Sequence, residues 1–242
     1  MNITLAGRRY YERCLRILRE VEDARTSVGD ALEGPLLVTA PVSFGLVRVV
    51  PHVHALMAKH PRLRIELRLE DRVLDLALEG VDVALRVGVA PPESTDLVAH
   101  PLLSYRRTLV AAPSYLKRRG EPKSPEALAK HDTLMHMVGA LDSWSLISPE
   151  REVRLQPSAA FRSNAAHAIH DLALRGAGIA LLPDWFVADD LQQRRLRAVL
   201  AQWHTASVVL NASHRVEQRG ATRVRTFIGY LRDVYSATAP SA

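Results

Sequence analysis

Two stretches of this chain place polar side chains directly after a β-favouring run and directly before a helical run. In the first, the apolar run from Leu36 to Ala40 is closed by Pro41. Ser43 then stands where a helix N-cap belongs, ahead of an amphipathic run from Phe44 to Lys59. A helix N-terminus that follows a strand leaves unpaired backbone N–H groups at a sheet edge, which favours an anion or a polar ligand. The stretch therefore predicts a ligand-binding position.

The second stretch, residues 159–164, has the same order of elements. Its β-like run ends at Asn164, a good N-cap residue, and a helical run over residues 165–175 follows. Gly176 and Gly178 close this helix, and Ile179 to Pro183 predicts the next buried strand. Two strand–cap–helix units far apart in sequence indicate two α/β lobes that offer their helix N-termini to a shared cleft.

The polar residues at these junctions have two roles open to them. Ser43 could donate its hydroxyl to a ligand carboxylate, assisted by the N–H groups of Phe44 and Gly45, or it could only cap the helix. The two roles can coexist. Ser163 and Asn164 face the same choice, with capping favoured at Asn164.

Arg86 ends an otherwise apolar strand predicted over residues 81–87. Its guanidinium suits bidentate pairing with a ligand carboxylate, and a structural ion pair with Asp71 is the alternative. Apolar residues at the junctions could line the same cleft, and strand termination or core packing explains them equally. They are Pro41, Val42, Phe44, Leu182 and Pro183.

The sequence nominates no metal, cofactor or catalytic group. His167 and His170 lie three residues apart on the second helix, but no nearby carboxylate or cysteine completes a metal set. Cys14 is the single cysteine. The chain contains no nucleophile elbow, phosphate-binding loop or dinucleotide glycine pattern. We therefore predict a binding protein without a cofactor and without enzymatic activity.

Composition predicts a globular protein. The chain has 242 residues, of which 48% are hydrophobic and 24% charged, enough for two lobes of about a hundred residues each. The net charge of +6 comes from scattered arginines and lysines, so it supports nucleic-acid binding only weakly. No apolar run approaches the roughly 18 residues of a membrane span, and the first residues do not form a secretory signal. We expect a cytoplasmic location without membrane contact.

Residues 7–32 predict one long helix before the first strand. Apolar residues recur in steps of three and four, as in a coiled-coil seam, although Arg25 interrupts them. The seam residues are Tyr11, Cys14, Leu18, Val21, Val28 and Leu32. The helix could pack on its own domain. The sharp break at Gly34 and Pro35 favours a connecting helix that forms a dimer.

Between the two junctions, residues 36–87 read as β-α-β-α-β, which predicts a parallel sheet with crossover helices. The second strand is Leu63 to Leu69, a short helix covers residues 72–79, and the third strand follows. Residues 222–235 predict an amphipathic helix near the C-terminus.

An ordered set of motifs resembles the LysR-type transcriptional regulators. The residues that carry the resemblance are 4–7, 34–36, 40–45, 60–61, 80–88, 112–116, 161–164 and 176–183. The resemblance covers essentially the whole chain. It implies a two-lobed α/β fold of the type 2 periplasmic-binding-protein kind, preceded by a linker helix. Carried over to this sequence, the linker and dimerisation helix is 1–33, lobe I is 35–104 with 206–236, and lobe II is 105–205.

The resemblance also implies a function. Such regulators bind a small-molecule effector between their lobes, often a carboxylate or an aromatic metabolite, and act on DNA as a homodimer or homotetramer. Their winged helix-turn-helix is missing here, since Met1 falls where that domain would end. The resemblance therefore implies that contact with DNA depends on that missing domain. Two alternatives stay open: a solute-binding protein of the same fold, and a remnant that only pairs with full-length relatives.

Overall fold

The computed structural model describes most of the chain from the first strand onward, and a few single residues before that strand. The described residues are 4, 7, 10, 11, 13, 14, 17, 34–72, 76, 79–88, 96–137 and 143–237. Each described residue between 7 and 17 is helical, including Tyr11 and Cys14 of the predicted seam. The other seam residues lie outside the described residues. They are Leu18, Val21, Val28 and Leu32.

The first part of the chain alternates strands and helices. Strand β1 (Gly34–Ala40) is followed by a helical run made of α1 (Val42–Phe44), a π-helical segment (Gly45–Val49) and α2 (Val50–Lys59). Then come β2 (Leu63–Leu69), β3 (Val83–Val87) and β4 (Leu97–Tyr105). The predicted helix over residues 72–79 lies mostly outside the described residues.

The middle of the chain contributes a second set of elements. In chain order they are β5 (Arg107–Ala111), α3 (Pro113–Arg119), a 3₁₀ segment (Pro125–Lys130), β6 (Thr133–His136), β7 (Trp144–Ile147), β8 (Glu152–Leu155), β9 (Ala159–Ser163), α4 (Ala166–Leu174), β10 (Ile179–Pro183), α5 (Asp184–Gln192) and β11 (Arg197–Ala198). The last elements are β12 (Val208–Arg215), a 3₁₀ segment (Val216–Gly220) and α6 (Thr222–Ala237).

These elements form two compact units. Unit 1 consists of residues 1–103 and 209–242, and unit 2 of residues 104–208. Each unit contains a five-stranded sheet, with strand order β2-β1-β3-β12-β4 in unit 1 and β11-β5-β10-β6-β9 in unit 2. Strands β1, β2 and β3 are mutually parallel, and β12 runs antiparallel to β3. The two-lobed α/β fold and the predicted parallel arrangement of β1, β2 and β3 are confirmed.

Burial follows the sheet order. Residues 36–40 of the inner strand β1 are all buried, as expected for a strand with parallel neighbours that is covered on both faces. Helix α6 buries the apolar face that its sequence pattern predicts, with Val224, Phe227 and Leu231 fully buried. Within the described residues, no helix combines the length and apolar character needed to cross a membrane.

A buried carboxylate connects the elements of unit 1. The side chain of Asp82, just before β3, is almost completely buried. Its Oδ2 accepts a hydrogen bond from the Leu37 N–H of β1 at 2.7 Å, and its Oδ1 accepts one from Gln218 Nε2 at 2.6 Å. The guanidinium of Arg223 on α6 lies 3.8 Å from the same carboxylate. Charge-assisted hydrogen bonds of this kind offset the cost of burying the charge.

The π-helical segment has an identifiable cause. Pro51 stands in the first turn of α2 and has no N–H to donate to the preceding turn. The wider turn over residues 45–49 accommodates this missing donor, with the Val50 N–H bonded to the Gly45 carbonyl. The uninterrupted helix predicted over residues 44–59 therefore differs from the observed run in this one turn.

In unit 2 the sequence pattern predicts a strand over residues 196–200 and a short helix over residues 184–187. The observed strand β11 is only two residues long, and the observed helix extends to Gln192. Strand β7 has no counterpart among the predicted strands. The short strand β11 depends on a neighbour distant in sequence, since it pairs with β5.

Gly178 provides a test of the close packing before β10. A Cβ atom there would lie 2.6 Å from the carbonyl oxygen of Asp132, and a backbone oxygen cannot move aside cheaply. We expect Gly178→Ala to lower the free energy of unfolding by about 2 kcal/mol in chemical denaturation. Gly229→Ala is the control, because its Cβ has no neighbour within 4 Å and helix propensity should raise stability by about 0.5–1 kcal/mol. Equal effects of the two substitutions would contradict the packing argument.

Candidate functional site

The carboxyl ends of β1, β2 and β3 lie at one edge of the unit 1 sheet because the three strands are parallel. In open α/β sheets, ligands bind at this edge. Pro41 to Phe44 follow β1 there, Asp71 follows β2, and Arg86 is close to the end of β3. The first predicted junction and Arg86 therefore belong to the same edge.

The helix after β1 begins two residues earlier than predicted. Its N-cap is Pro41 in an extended conformation, so Ser43 lies within the first turn, and the prediction that Ser43 is the N-cap was wrong. The Val42 N–H instead donates to Asp71 Oδ1 at 3.1 Å. A carboxylate of the chain itself thus satisfies one of the exposed donors of the helix N-terminus. Pro41, Val42 and Ser43 are all half-buried.

Close packing fixes the position of this helix start. A Cβ atom on Gly45 would overlap the Cδ2 methyl group of Leu69, so a larger residue there would require the end of this leucine side chain to move. Phe44 is buried and packs edge-to-face on Tyr235 of α6, with the ring centroids 5.8 Å apart. Phe44 therefore belongs to the core of unit 1.

Arg86 is half-buried and only partly hydrogen-bonded. Its Nη1 donates to the Leu85 carbonyl at 2.8 Å, whereas its buried Nη2 has no hydrogen-bond partner among the described residues. The alternative ion pair with Asp71 is not observed. Burial lowers the pKa of Arg86 below its ordinary value, and the nearby carboxylates of Glu70 and Asp71 oppose this shift. The result is a cation with one unused donor at the edge where the three strands end.

The second junction, in unit 2, also differs from its predicted capping. The N-cap of α4 is Ala165, so the prediction that Asn164 is the N-cap was wrong by one residue. Ser163 Oγ accepts a hydrogen bond from the Ala165 N–H at 3.0 Å, which explains why an alanine can stand at this position. The exposed Asn164 contributes its carbonyl oxygen to a 3.2 Å contact with His136 Nε2.

The two apolar candidates of unit 2 lie in its interior. Leu182 is fully buried among the residues of the sheet and of helices α4 and α5, and Pro183 at the end of β10 is also buried. Core packing, the alternative given for both residues, accounts for their positions.

Sequence reasoning missed the structural use of Asp71 and Asp190. The position of Asp71 could have indicated its role, because this residue directly follows a strand that is parallel to β1. The sequence gives no such indication for Asp190, because its partner His170 lies on another helix and comes close only in the folded protein. The distance from His170 Nε2 to Asp190 Oδ2 is 2.6 Å, and Arg195 Nε donates to Asp190 Oδ1 at 2.7 Å.

His167 and His170 contribute to the packing of unit 2. The rings of His167 and His170 both contact Phe186, with centroid distances of 4.9 and 4.8 Å. Burial lowers the pKa of His167, and the neighbouring His170 adds to the shift. No group of three or more metal-ligating side chains occurs within the described ranges.

Asp190→Asn tests this arrangement in unit 2. The Asp190 side chain is 4% exposed, and its charge strengthens the hydrogen bonds to His170 and Arg195. We expect the substitution to lower the free energy of unfolding by about 2 kcal/mol in urea titrations. The control is Asp171→Asn, whose ion pair with Arg175 is exposed and should contribute less than about 1 kcal/mol. A loss at Asp190 no larger than the loss at Asp171 would contradict the role of the buried charge.

Comparisons with known proteins agree on one family. The model of the LysR substrate binding domain matches residues 29–236. An HTH-type transcriptional regulator of Xanthomonas campestris pv. campestris (strain 8004) is 34% identical over 241 residues, which cover 96% of this chain and 69% of the relative. The HTH-type transcriptional activator TtdR of Escherichia coli (strain UTI89 / UPEC) is 30% identical over 234 residues, covering 95% of this chain and 74% of that protein.

Solved structures of similar proteins show the same fold. CrgA, a LysR-type transcriptional regulator from Neisseria meningitidis, superimposes with a TM-score of 0.78 at 27% identity, covering 96% of this chain and 80% of CrgA. The Vibrio cholerae virulence activator AphB gives a TM-score of 0.76 at 25% identity, covering 97% of this chain and 81% of AphB. These relatives are named as regulators of transcription and not as enzymes. The chain belongs to the LysR-type transcriptional regulators and contains their substrate-binding, or effector-binding, domain.

Proposed function

We propose that this chain senses a small carboxylate-bearing effector for a LysR-type regulator, and that the ligand contacts the strand–helix junction of unit 1. The observation that carries the proposal is the Nη2 group of Arg86, buried and without a hydrogen-bond partner among the described residues. An unsatisfied buried donor on a cation destabilises the free protein, and a ligand carboxylate would satisfy it. Ligand binding would therefore supply the hydrogen bond that Arg86 Nη2 lacks in the free protein.

The surroundings of Arg86 restrict where such a carboxylate can bind. The carboxylate of Asp71 already accepts from the Val42 N–H, and Glu70 adds a second negative charge close by. A ligand carboxylate is repelled by these two groups unless the guanidinium lies between them. The proposal therefore assigns charge pairing to Arg86 and a hydroxyl contact to Ser43, and it keeps Ser163 of unit 2 as a separate candidate contact. Asn164 is a further candidate contact because its side chain is exposed beside Ser163.

The first test combines binding with stability. A thermal-shift screen of short-chain mono- and dicarboxylates and benzoate identifies a probe, and calorimetry then compares its Kd across variants. We expect Arg86→Met to weaken binding at least about tenfold, or about 1.4 kcal/mol, with smaller losses for Ser43→Ala and Ser163→Ala. Because Arg86→Met removes a half-buried cation with one unsatisfied buried donor, the free energy of unfolding of this variant should stay equal or rise.

Arg64→Met is the matched control for this test, because Arg64 is exposed on β2. It should leave the Kd unchanged. A Kd that Arg86→Met and both serine variants leave unaltered would remove the site assignment. Binding of none of the carboxylates but of neutral aromatics would reject the proposed ligand class.

We further propose that the chain oligomerises, as a homodimer or homotetramer, through its apolar helical surfaces. Four large apolar side chains on the helical run of residues 42–59 are at least 36% exposed. They are Leu46, Val47, Val50 and Met57. Near the start of the chain, Tyr10, Tyr11 and Ile17 are each more than half exposed, and two of them flank the predicted seam. Apolar surface of this kind supports association with a second copy of the chain.

Val50→Glu tests the oligomer proposal. Val50 is 47% exposed, so a glutamate there is tolerated by a lone subunit but is disfavoured within an apolar interface. Light scattering coupled to size-exclusion chromatography should show a smaller species than the parent at equal concentration. Arg64→Glu, a larger change of charge on β2, should keep the parent's mass. A parent that is already monomeric at high concentration would contradict the proposal.

A further inference from the structure

Two histidines in unit 1 face each other across neighbouring strands. His100 lies on β4 and is half-buried, and His214 lies on β12 and is only 3% exposed. Their rings are stacked, with centroids 5.2 Å apart and an interplanar angle of 17°. The two Nε2 atoms are 3.1 Å apart, which is a hydrogen-bond distance. One nitrogen of the pair must therefore donate and the other must accept.

The surrounding groups determine which nitrogen carries the proton. His214 Nδ1 lies 2.8 Å from the Arg215 carbonyl oxygen, which can only accept, so His214 carries its hydrogen on Nδ1. Its Nε2 is then the acceptor, and His100 Nε2 is the donor. His100 Nδ1 is left with a lone pair, and the Arg232 guanidinium of α6 lies 3.5 Å from it. The hydrogen bonds form one directed chain from Arg232 through His100 and His214 to a backbone carbonyl.

This chain has no place for another proton. A proton on His214 Nε2 would oppose the N–H of His100, and a proton on His100 Nδ1 would oppose the Arg232 guanidinium. The charged groups that face His100 are His214 on β12, Arg232 on α6 and Arg219 on the 3₁₀ segment of residues 216–220. The acid nearest in sequence to Arg215 is Glu217, which pairs with Arg215 at 2.7 Å. Burial, followed by these three groups, lowers the pKa of His100 from its ordinary value.

The location gives the pair a consequence beyond local packing. The chain passes from unit 1 to unit 2 after Leu103, near the end of β4, and returns before Val209, near the start of β12. The histidines thus join the two connecting strands to each other, and Arg232 attaches α6 to them. We propose that Arg232, His100 and His214 form a proton-sensitive latch on the connecting strands, which uptake of one proton opens. This regulation is independent of the proposed effector site.

The sign of the pH dependence follows from the direction of the shift. Because the latched form binds a proton less readily than the open form, the latch is fully formed above the ordinary histidine pKa of 6.5. Its contribution is lost as the pH falls from that value through the lowered pKa of His100. Mild acidification therefore opens the latch without unfolding the sheet.

Hydrogen exchange of the full chain, corrected for intrinsic rates, tests the latch at about pH 8 and about pH 5.5. We expect several-fold faster exchange in peptides from β4, β12 and the end of α6 at the lower pH. In His100→Gln, an amide can turn either its NH₂ or its carbonyl oxygen towards His214, so this difference should disappear. The control His54→Gln replaces an exposed histidine on α2 and should behave like the parent.

Two results would overturn the latch. One is an equal pH response in His100→Gln and the parent. The other is a nitrogen NMR spectrum at high pH in which the proton of His214 resides on Nε2, because the directed chain requires it on Nδ1.

Discussion

The buried carboxylate of Asp82 is the interaction on which unit 1 depends. It accepts hydrogen bonds from the backbone of β1 and from Gln218, and it lies beside the guanidinium of Arg223 on α6. Because Asp82 directly precedes β3, this one group sets the relative position of two parallel strands and the closing helix. The Val42 N–H and the Arg86 side chain lie at the carboxyl ends of those strands. The geometry of the candidate site is thus determined at the opposite, amino-terminal side of β3.

Most of the architecture could be predicted from the sequence because its signals are local. The alternation in β2, the continuous apolar run of β1 and the stripe on α6 each identify one element without knowledge of the rest. The helix starts could not be predicted to the residue. Ser43 and Asn164 are good capping residues, yet Pro41 and Ala165 occupy the caps because Asp71 and Ser163 supply the acceptors. Such competition between acceptors depends on tertiary contacts, which a single sequence does not reveal.

The candidate site illustrates the same limit. Arg86 was predicted as a ligand contact because a charged residue is unusual in an apolar strand. The structure places it at the edge where strands β1 to β3 end. Its unused donor could not be predicted, since the alternative ion pair with Asp71 was equally compatible with the sequence. Phe44 and Leu182 have the residue types of a ligand wall, but both are buried in the cores of their units. Apolar residues at strand ends carry too little information to separate these roles.

Unit 1 is built from two separate segments of the chain, which has a consequence for biosynthesis. Unit 2 is one continuous segment, whereas β12 and α6 are translated after it and complete the sheet begun by β1, β2 and β3. On the ribosome, β3 therefore lacks its β12 neighbour, and the Asp82 carboxylate lacks Gln218 and Arg223, while unit 2 already has all its strands. The sheet of unit 1 therefore stays incomplete, with one edge of β3 unpaired, until residues 208–237 have been synthesised.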